Sequence, residues 1–375
     1  MDPEGIATQQ APPAVGTVIV PTAVSISMTQ AWGSQVLARV KYIPTMASKY
    51  YYLISQSVTA DGKSLLATSN FFSLSETDPH QPGKIVIVDL TSGQITEIAT
   101  VSDSNITPYG VTGDENWIVW TQAPKEPGFF STWTMYAYNR ADHSIKQIAQ
   151  AAKEQNGLPP LGSDGSAQVD HGKVVWSEAI PDQGDTPRNA VKIMDLPTGQ
   201  VTTLSSNGYI PVISWPYAAW IDVKVPQVEN TPAQTPLDVQ VSIVVLNLED
   251  GTRKALTKPD RPVGFDLYKD SVVWISDDRR RVLLTNIDET FEQTIAVVSG
   301  GGIFESPSIN ERLIVWHSST EAQVWDRKKN QLVTLASEGV TRRFVSPRTL
   351  VWDGPQSDAP DAPRGTQVLD TTELP

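Results

Sequence analysis

Six times along the 375-residue chain a short apolar run ends in tryptophan. The copies are WIVWT (to Thr121), KVVWS (to Ser177), YAAWI (to Ile221), SVVWI (to Ile275), LIVWH (to His317) and TLVWD (to Asp353). They set Trp120, Trp176, Trp220, Trp274, Trp316 and Trp352 in one slot, and an earlier copy, SLLAT, puts Ala67 there. The mean spacing from Ala67 to Trp352 is 47.5 residues. A repeat of this length means a structural unit that cannot bury its own apolar faces and must stack on its neighbours.

A second phrase follows each first one. It is an apolar run closing on Asp or Asn, then a short turn, then a polar-apolar segment, as in IVIVDLTSGQITEIA and VKIMDLPTGQVTTLS. The slot holds Asp89, Asn139, Asp195, Asn247, Asn286, Asp326 and Asp370. Asp and Asn in that place cap the turn, so the phrase reads as a hairpin. Gly93, Gly199 and Gly251 stand where the turn needs positive φ, with Asp or Asn expected in the other copies. Another short segment precedes each tryptophan phrase. Each unit is therefore four strands, A to D, with the tryptophan on B and the Asp/Asn at the end of C. No window keeps a 3.6-residue period long enough for a substantial helix. Runs such as Ile85-Val86-Ile87-Val88 are apolar on both faces, as sheets stacked between sheets require.

These readings predict an all-β fold: a seven-bladed β-propeller of four-stranded antiparallel blades, with six or eight blades as alternatives. The blades fall at roughly 45–100, 101–150, 160–206, 207–258, 259–298, 299–337 and 338–375. The last unit lacks strand D, and residues 34–44, through the strand-like Val36–Ile43, are expected to supply it and close the ring, hiding the sheet edges. Residues 1–33, rich in Pro, Ala and Gln, read as a flexible leader ahead of a single domain, 34–375.

The paired phrases, VDLTSGQITEIA and MDLPTGQVTTLS above all, resemble the TolB-type and related WD-like propeller repeats over nearly all of residues 45–375. The resemblance implies the fold. TolB proteins have six blades and an extra N-terminal domain, whereas seven units are counted here. Prolyl-oligopeptidase-type enzymes carry such a propeller beside a hydrolase domain, and no G-x-S-x-G elbow occurs in this sequence.

The net charge is −13, which disfavours nucleic acid and anionic membrane surfaces as partners. The one dense basic run, Arg279–Arg281, adjoins Asp277 and Asp278 and reads as a hairpin tip. No apolar run is long enough for a membrane helix. There is no cysteine, which removes disulfide and thiol chemistry. His80, His143, His171 and His317 fall in different blades without metal-ligand spacing, and the acidic stretches near Asp182 and Asp358 lack a calcium-loop pattern. No cofactor and no metal are expected.

Function is expected on one face. The connections between strands B and C are long in blades 7, 1, 2, 3 and 4, neighbours around a closed ring, and short in blades 5 and 6. They hold Phe71, Phe72, Phe129, Phe130, Trp133 and Arg188, residue types that anchor binding interfaces. The favoured reading is a non-catalytic binding or scaffold propeller that recognises a protein, peptide or glycan through this face. One alternative is a carbohydrate-active hydrolase or lyase with carboxylates at the central channel, and another is a structural spacer of a cell-surface protein. The chain is expected to be a monomer. It is expected to be extracytoplasmic, secreted or surface-anchored after loss of a signal, or cytoplasmic if Met1 is native.

Overall fold

The computed structural model describes residues 25–44, 51–71, 82–125, 132–153, 166–181, 188–224, 240–258, 261–297, 303–318, 322–336, 343–355 and 364–375. They form seven sheets, each with four antiparallel strands ordered A-B-C-D, arranged as a β-propeller. Strand B, with its tryptophan slot, is Ser64–Phe71, Trp117–Pro124, Lys173–Ala179, Tyr217–Lys224, Ser271–Ile275, Leu313–Ser318 and Thr349–Pro355 in blades 1 to 7. Every residue of the blade 5 copy is buried, on both faces, because each blade is clasped between two others. Strand D, at the rim, is far more exposed, as in Ile95–Thr100.

The tryptophans fill the seams between blades. Trp120 of blade 2 packs with Leu66 and Ile85 of blade 1, and Trp220 of blade 4 packs with Val191 of blade 3. Each slot tryptophan thus faces the preceding blade, and all six are at most 2% exposed. Ala67 faces blade 7, among Val351, Val368 and Ile43, so the seam between blades 7 and 1 is the one built without a slot tryptophan.

All seven Asp/Asn side chains accept a backbone N–H from the turn that follows, for example Asp89 from Thr91 and Ser92, and Asn247 from Glu249. The Thr198 hydroxyl, and then Lys173, hold the Asp195 carboxyl at about 2. Gly93, Gly199 and Gly251 have φ of 73° to 75°. In three other copies the same left-handed turn is carried by His143, Glu289 and Asn330. The expected Asp or Asn is therefore met only at Asn330; with the turn already held by the upstream cap, His143 and Glu289 take the left-handed position in the other two copies.

An N-terminal strand closes the ring, but a shorter one than expected. Lys41–Pro44 pairs antiparallel with strand C of blade 7, Arg364–Asp370. Val36 and Leu37 belong instead to a helical turn, Ser34–Leu37, and pack on the seam between blades 6 and 7. Residues 25–33, assigned to the leader by composition, also fold. Ile26–Ser27 adds a parallel fifth strand to blade 6, beside Gln331–Ala336, and Ser27 and Gln30 form a capping box for the helix Met28–Trp32. Trp32 is 3% exposed and its indole N–H donates to the fully buried Asp326, 3.0 Å away. An aromatic side chain with a waiting buried acceptor explains why this stretch folds against its polar composition.

Candidate functional site

Strand A of each blade lies innermost, and the A strands of neighbouring blades touch around the axis. In blades 1 to 7 they are Tyr51–Val58, Ile106–Gly113, Ala167–Asp170, Gly208–Ser214, Gly264–Tyr268, Phe304–Ile309 and Arg343–Ser346. The residue opposite the one before the tryptophan slot falls at one level in every blade. This sets Ser57, Thr112, Gln168, Val212, Asp266, Ser308 and Phe344 around the channel as a ring.

Above and below the ring the channel opens into two cavities. One, of about 300 Å³, faces the A–B turns and is reached by Ala60 and Pro347. The other, of about 990 Å³, opens on the face of the B–C connections. Its walls are the first residues of the A strands of blades 3 to 6, Phe344, the ends of strands B at Ser177 and Ile275, and Arg279 from the short B–C turn of blade 5. Gln168, Asp266, Ser308 and Phe344 line both cavities and mark the waist.

Backbone distortion concentrates here. Strand A carries one extra residue between Tyr209 and Val212 in blade 4 and between Glu305 and Ser308 in blade 6. Blade 2 repeats this between Tyr109 and Thr112. The extra turns put Gly110, Ile210 and Ser306 at φ of 61°, 52° and 45°. For Gly110 this costs nothing, but a β-branched residue such as Ile210 adopts it only under strain, and strained residues gather at ligand sites. Ile210 is 42% exposed, on the wall of the larger cavity.

Side chains of the inner wall staple each blade to the next. Ser57 donates to Val111 O; Asp114 accepts from Gly172 N, Gln168 from Ile213 N and Ser214 from Lys269 N. Asp266 accepts from Ile309 N and Asn310 donates to Ser346 O, while Ser55 bonds Thr366 across the last seam. These bonds hold the cavity walls in fixed register, so the site is preformed.

Two carboxylates line the larger cavity. Glu305 is paired with Arg279 at 2.7 Å on the lip. Asp266, half-buried at the waist, is pushed up to about 6 by desolvation, against the lowering effect of the hydrogen bond from Ile309. Tyr209 is likewise raised by burial. Among the described residues no three His, Cys, Asp or Glu side chains gather to hold a metal. His171 sits in an A–B turn stacked on Trp215, and His143 bonds the Tyr138 hydroxyl in a C–D turn.

Of the loop residues singled out from sequence, the two whose side chains are described, Trp133 and Arg188, do not line this cavity. Trp133 is 3% exposed, packed with Met135, Ala137 and Trp176 between blades 2 and 3, and is thus a core residue rather than an exposed anchor. Arg188 is exposed at the foot of strand C in blade 3, beside the cavity-lining Asn189. Phe71 ends strand B of blade 1; its side chain, like Phe72, Phe129 and Phe130, lies outside the described residues. The cavity residues went unseen because strand A carries no repeated phrase. The visible signals were Ile210-Pro211 and Ser306-Pro307, since proline inside a strand marks a bulge.

No protein-family model and no curated protein matches the sequence. Among solved structures, a prolyl endopeptidase superposes with a TM-score of 0.58 at 9% identity over 86% of this chain. The chain spans 48% of that enzyme's length. The β-propeller domain of the Trilobed protease from Pyrococcus furiosus, which has an open velcro topology, gives a TM-score of 0.56 at 11% identity, covering 87% of this chain and 95% of that domain. Oligogalacturonate lyase from Vibrio parahaemolyticus gives 0.51 at 10% identity, covering 88% and 96%. At these identities the likeness is one of fold, and it bears out the propeller resemblance read from the repeats.

Proposed function

We propose that the chain is a non-catalytic binding module that takes an extended peptide segment of a partner protein into the larger axial cavity, from the face of the B–C connections. The observation that carries this reading is the preformed cavity of about 990 Å³ at the channel mouth. A volume of that order is what a ligand pocket requires, and its walls follow the usual pattern of apolar surface with a few placed polar groups. The apolar part includes Ile210, Pro211, Val212, Val263 and Phe344, against which the apolar side chains of a peptide can pack. Gln168, Asp266 and Ser308 bond across seams and Arg279 pairs with Glu305, which suits recognition better than turnover. The peptidases and the lyase that share the fold act through their own chemistry, and no nucleophile with a base and orienting group is found among the described lining residues.

Selection of a random-peptide display library on the wild-type protein, followed by scoring of the clones on Ile210→Asp, tests the reading. Ile210 is solvent-facing, so the substitution spares the core. Clones should lose roughly tenfold or more in affinity. Clones that bind both proteins equally would place recognition elsewhere. We further propose an extracytoplasmic monomer, checked by fractionation of the native host and by sedimentation.

A further inference from the structure

We propose that Asp266 is the counter-ion for a cationic side chain, so that the peptide entering the cavity is basic and sets a lysine or arginine at the waist of the channel. This rests on the peptide-binding reading above and adds a charge requirement to it. Three observations support it.

The first is position. In the ring of seven residues at the waist, Asp266 is the only charged one, and it faces both cavities. A ligand entering from the B–C face and reaching the waist meets this carboxylate.

The second is that the staple made by Asp266 does not call for a charge. Two blades earlier Gln168 holds the equivalent place and accepts from Ile213 N at 3.1 Å, just as Asp266 accepts from Ile309 N at 3.0 Å. A neutral amide oxygen does the same structural work. A carboxylate adds a negative charge in a partly desolvated wall, and the hydrogen bonds from Ile309, Leu267 and Ser308 answer it only in part, leaving room for a cation.

The third is the missing partner. Among the described residues lining either cavity, Arg279 is the one cationic side chain, and it is bound to Glu305 on the lip. No ion pair to Asp266 forms among the described residues. The desolvation that raises Asp266 is the cost a ligand cation would remove. Lysine and arginine suit the path, since their stems lie along apolar wall while the charged end goes deeper. The chain's net charge of −13 also draws basic segments toward it.

The test is calorimetric titration of the full chain with Ac-Phe-Arg-Phe-NH2 and with its citrulline counterpart, which keeps the shape and removes the charge. Wild-type protein should prefer the arginine peptide by about tenfold or more, as charge-assisted bonds do over neutral ones. Asp266→Asn keeps an oxygen for Ile309 N and should bind both peptides alike, with an unchanged far-ultraviolet spectrum. Equal affinities on the wild type, or a preference that survives in Asp266→Asn, overturns the counter-ion role. If both peptides bind equally and both weaken on Ile210→Asp, the cavity remains a peptide site without charge selection. If neither binds at millimolar concentration, both readings fall.

Discussion

The seams on the two sides of blade 7 are built from different materials. Between blades 6 and 7, Trp352 is packed with Leu313, Val315 and Val333, and the N-terminal arm adds Ala31 and Trp32 over them. Between blades 7 and 1, Ala67 replaces the tryptophan, and a buried polar chain runs from Ser55 to Thr366 to Asp353. Both seams hold a buried apolar cluster; the first adds a tryptophan and an outer cover from the arm, and the second adds a hydrogen-bonded chain of hydroxyls and a carboxylate. The second joins segments far apart in the sequence, blade 1 and the blade completed by Lys41–Pro44. Directional bonds fix the register of a joint between segments distant in sequence, and apolar packing adds cohesion to every joint. The difference teaches that closure and cohesion are separate tasks in this ring, carried by separate residues.

The contrast can be broken most severely with Trp352→Ala. It should cost about 3–5 kcal/mol in urea unfolding, the range for truncating a buried aromatic. Ala67→Gly in the matching slot should cost only about 1 kcal/mol. Similar losses from the two would mean that both seams carry the same load. Next comes Gly365→Ala. A Cβ there would stand 2.4 Å from Ile43 O and 2.5 Å from the Tyr42 ring, so the closing strand must shift. We expect about 1–3 kcal/mol of destabilisation, with faster amide exchange in Lys41–Pro44 and little change in blade 4. Uniformly faster exchange would show that closure is not a local event.

A smaller effect separates the charged staple from the neutral ones. Asp266 is raised from 3.8 to about 6 in the folded protein, so the folded state holds this proton more tightly than the unfolded chain. Its contribution therefore grows as pH falls from above 6 toward 4. Depressed acids such as Asp195, at about 2, lose their contribution only below about pH 4. Between those limits the wild type should gain melting temperature relative to Asp266→Asn, as read by calorimetry at pH 7.5 and pH 5. A constant difference would remove the assigned titration. The smallest change is Ser55→Ala, below about 1 kcal/mol, because Thr366 keeps its bond to Asp353. A loss as large as that of Trp352→Ala would make the polar chain the main fastener of the ring.

Strand B and the C–D hairpin were legible because their residues repeat. The tryptophan slot records seam packing and the Asp/Asn slot records a capped turn, both local demands that every blade must meet. Trp133 was legible too, had the period of two been followed: it alternates with Met135 and Ala137, which places all three on one face of strand C. The waist was not legible. Which strand A residues share a level depends on where each bulge inserts its extra residue, and blades 2, 4 and 6 bulge with φ above zero where blades 3, 5 and 7 do not. Asp266 and Gln168 become equivalents only through pairing with Val273 and Val175. The arm escaped for another reason, since Trp32 finds its acceptor on Asp326, almost three hundred residues away.

Asp326 also binds Arg312, and Arg312 reaches the carbonyl of Pro375 at 2.7 Å. These groups lie at the A–B and C–D turns of blade 6, on the side away from the larger cavity, while the arm runs along that blade's outer rim. A tether fused after Pro375 would thus leave from the back of the disc. Held that way, the protein would keep the larger cavity on the side opposite the tether.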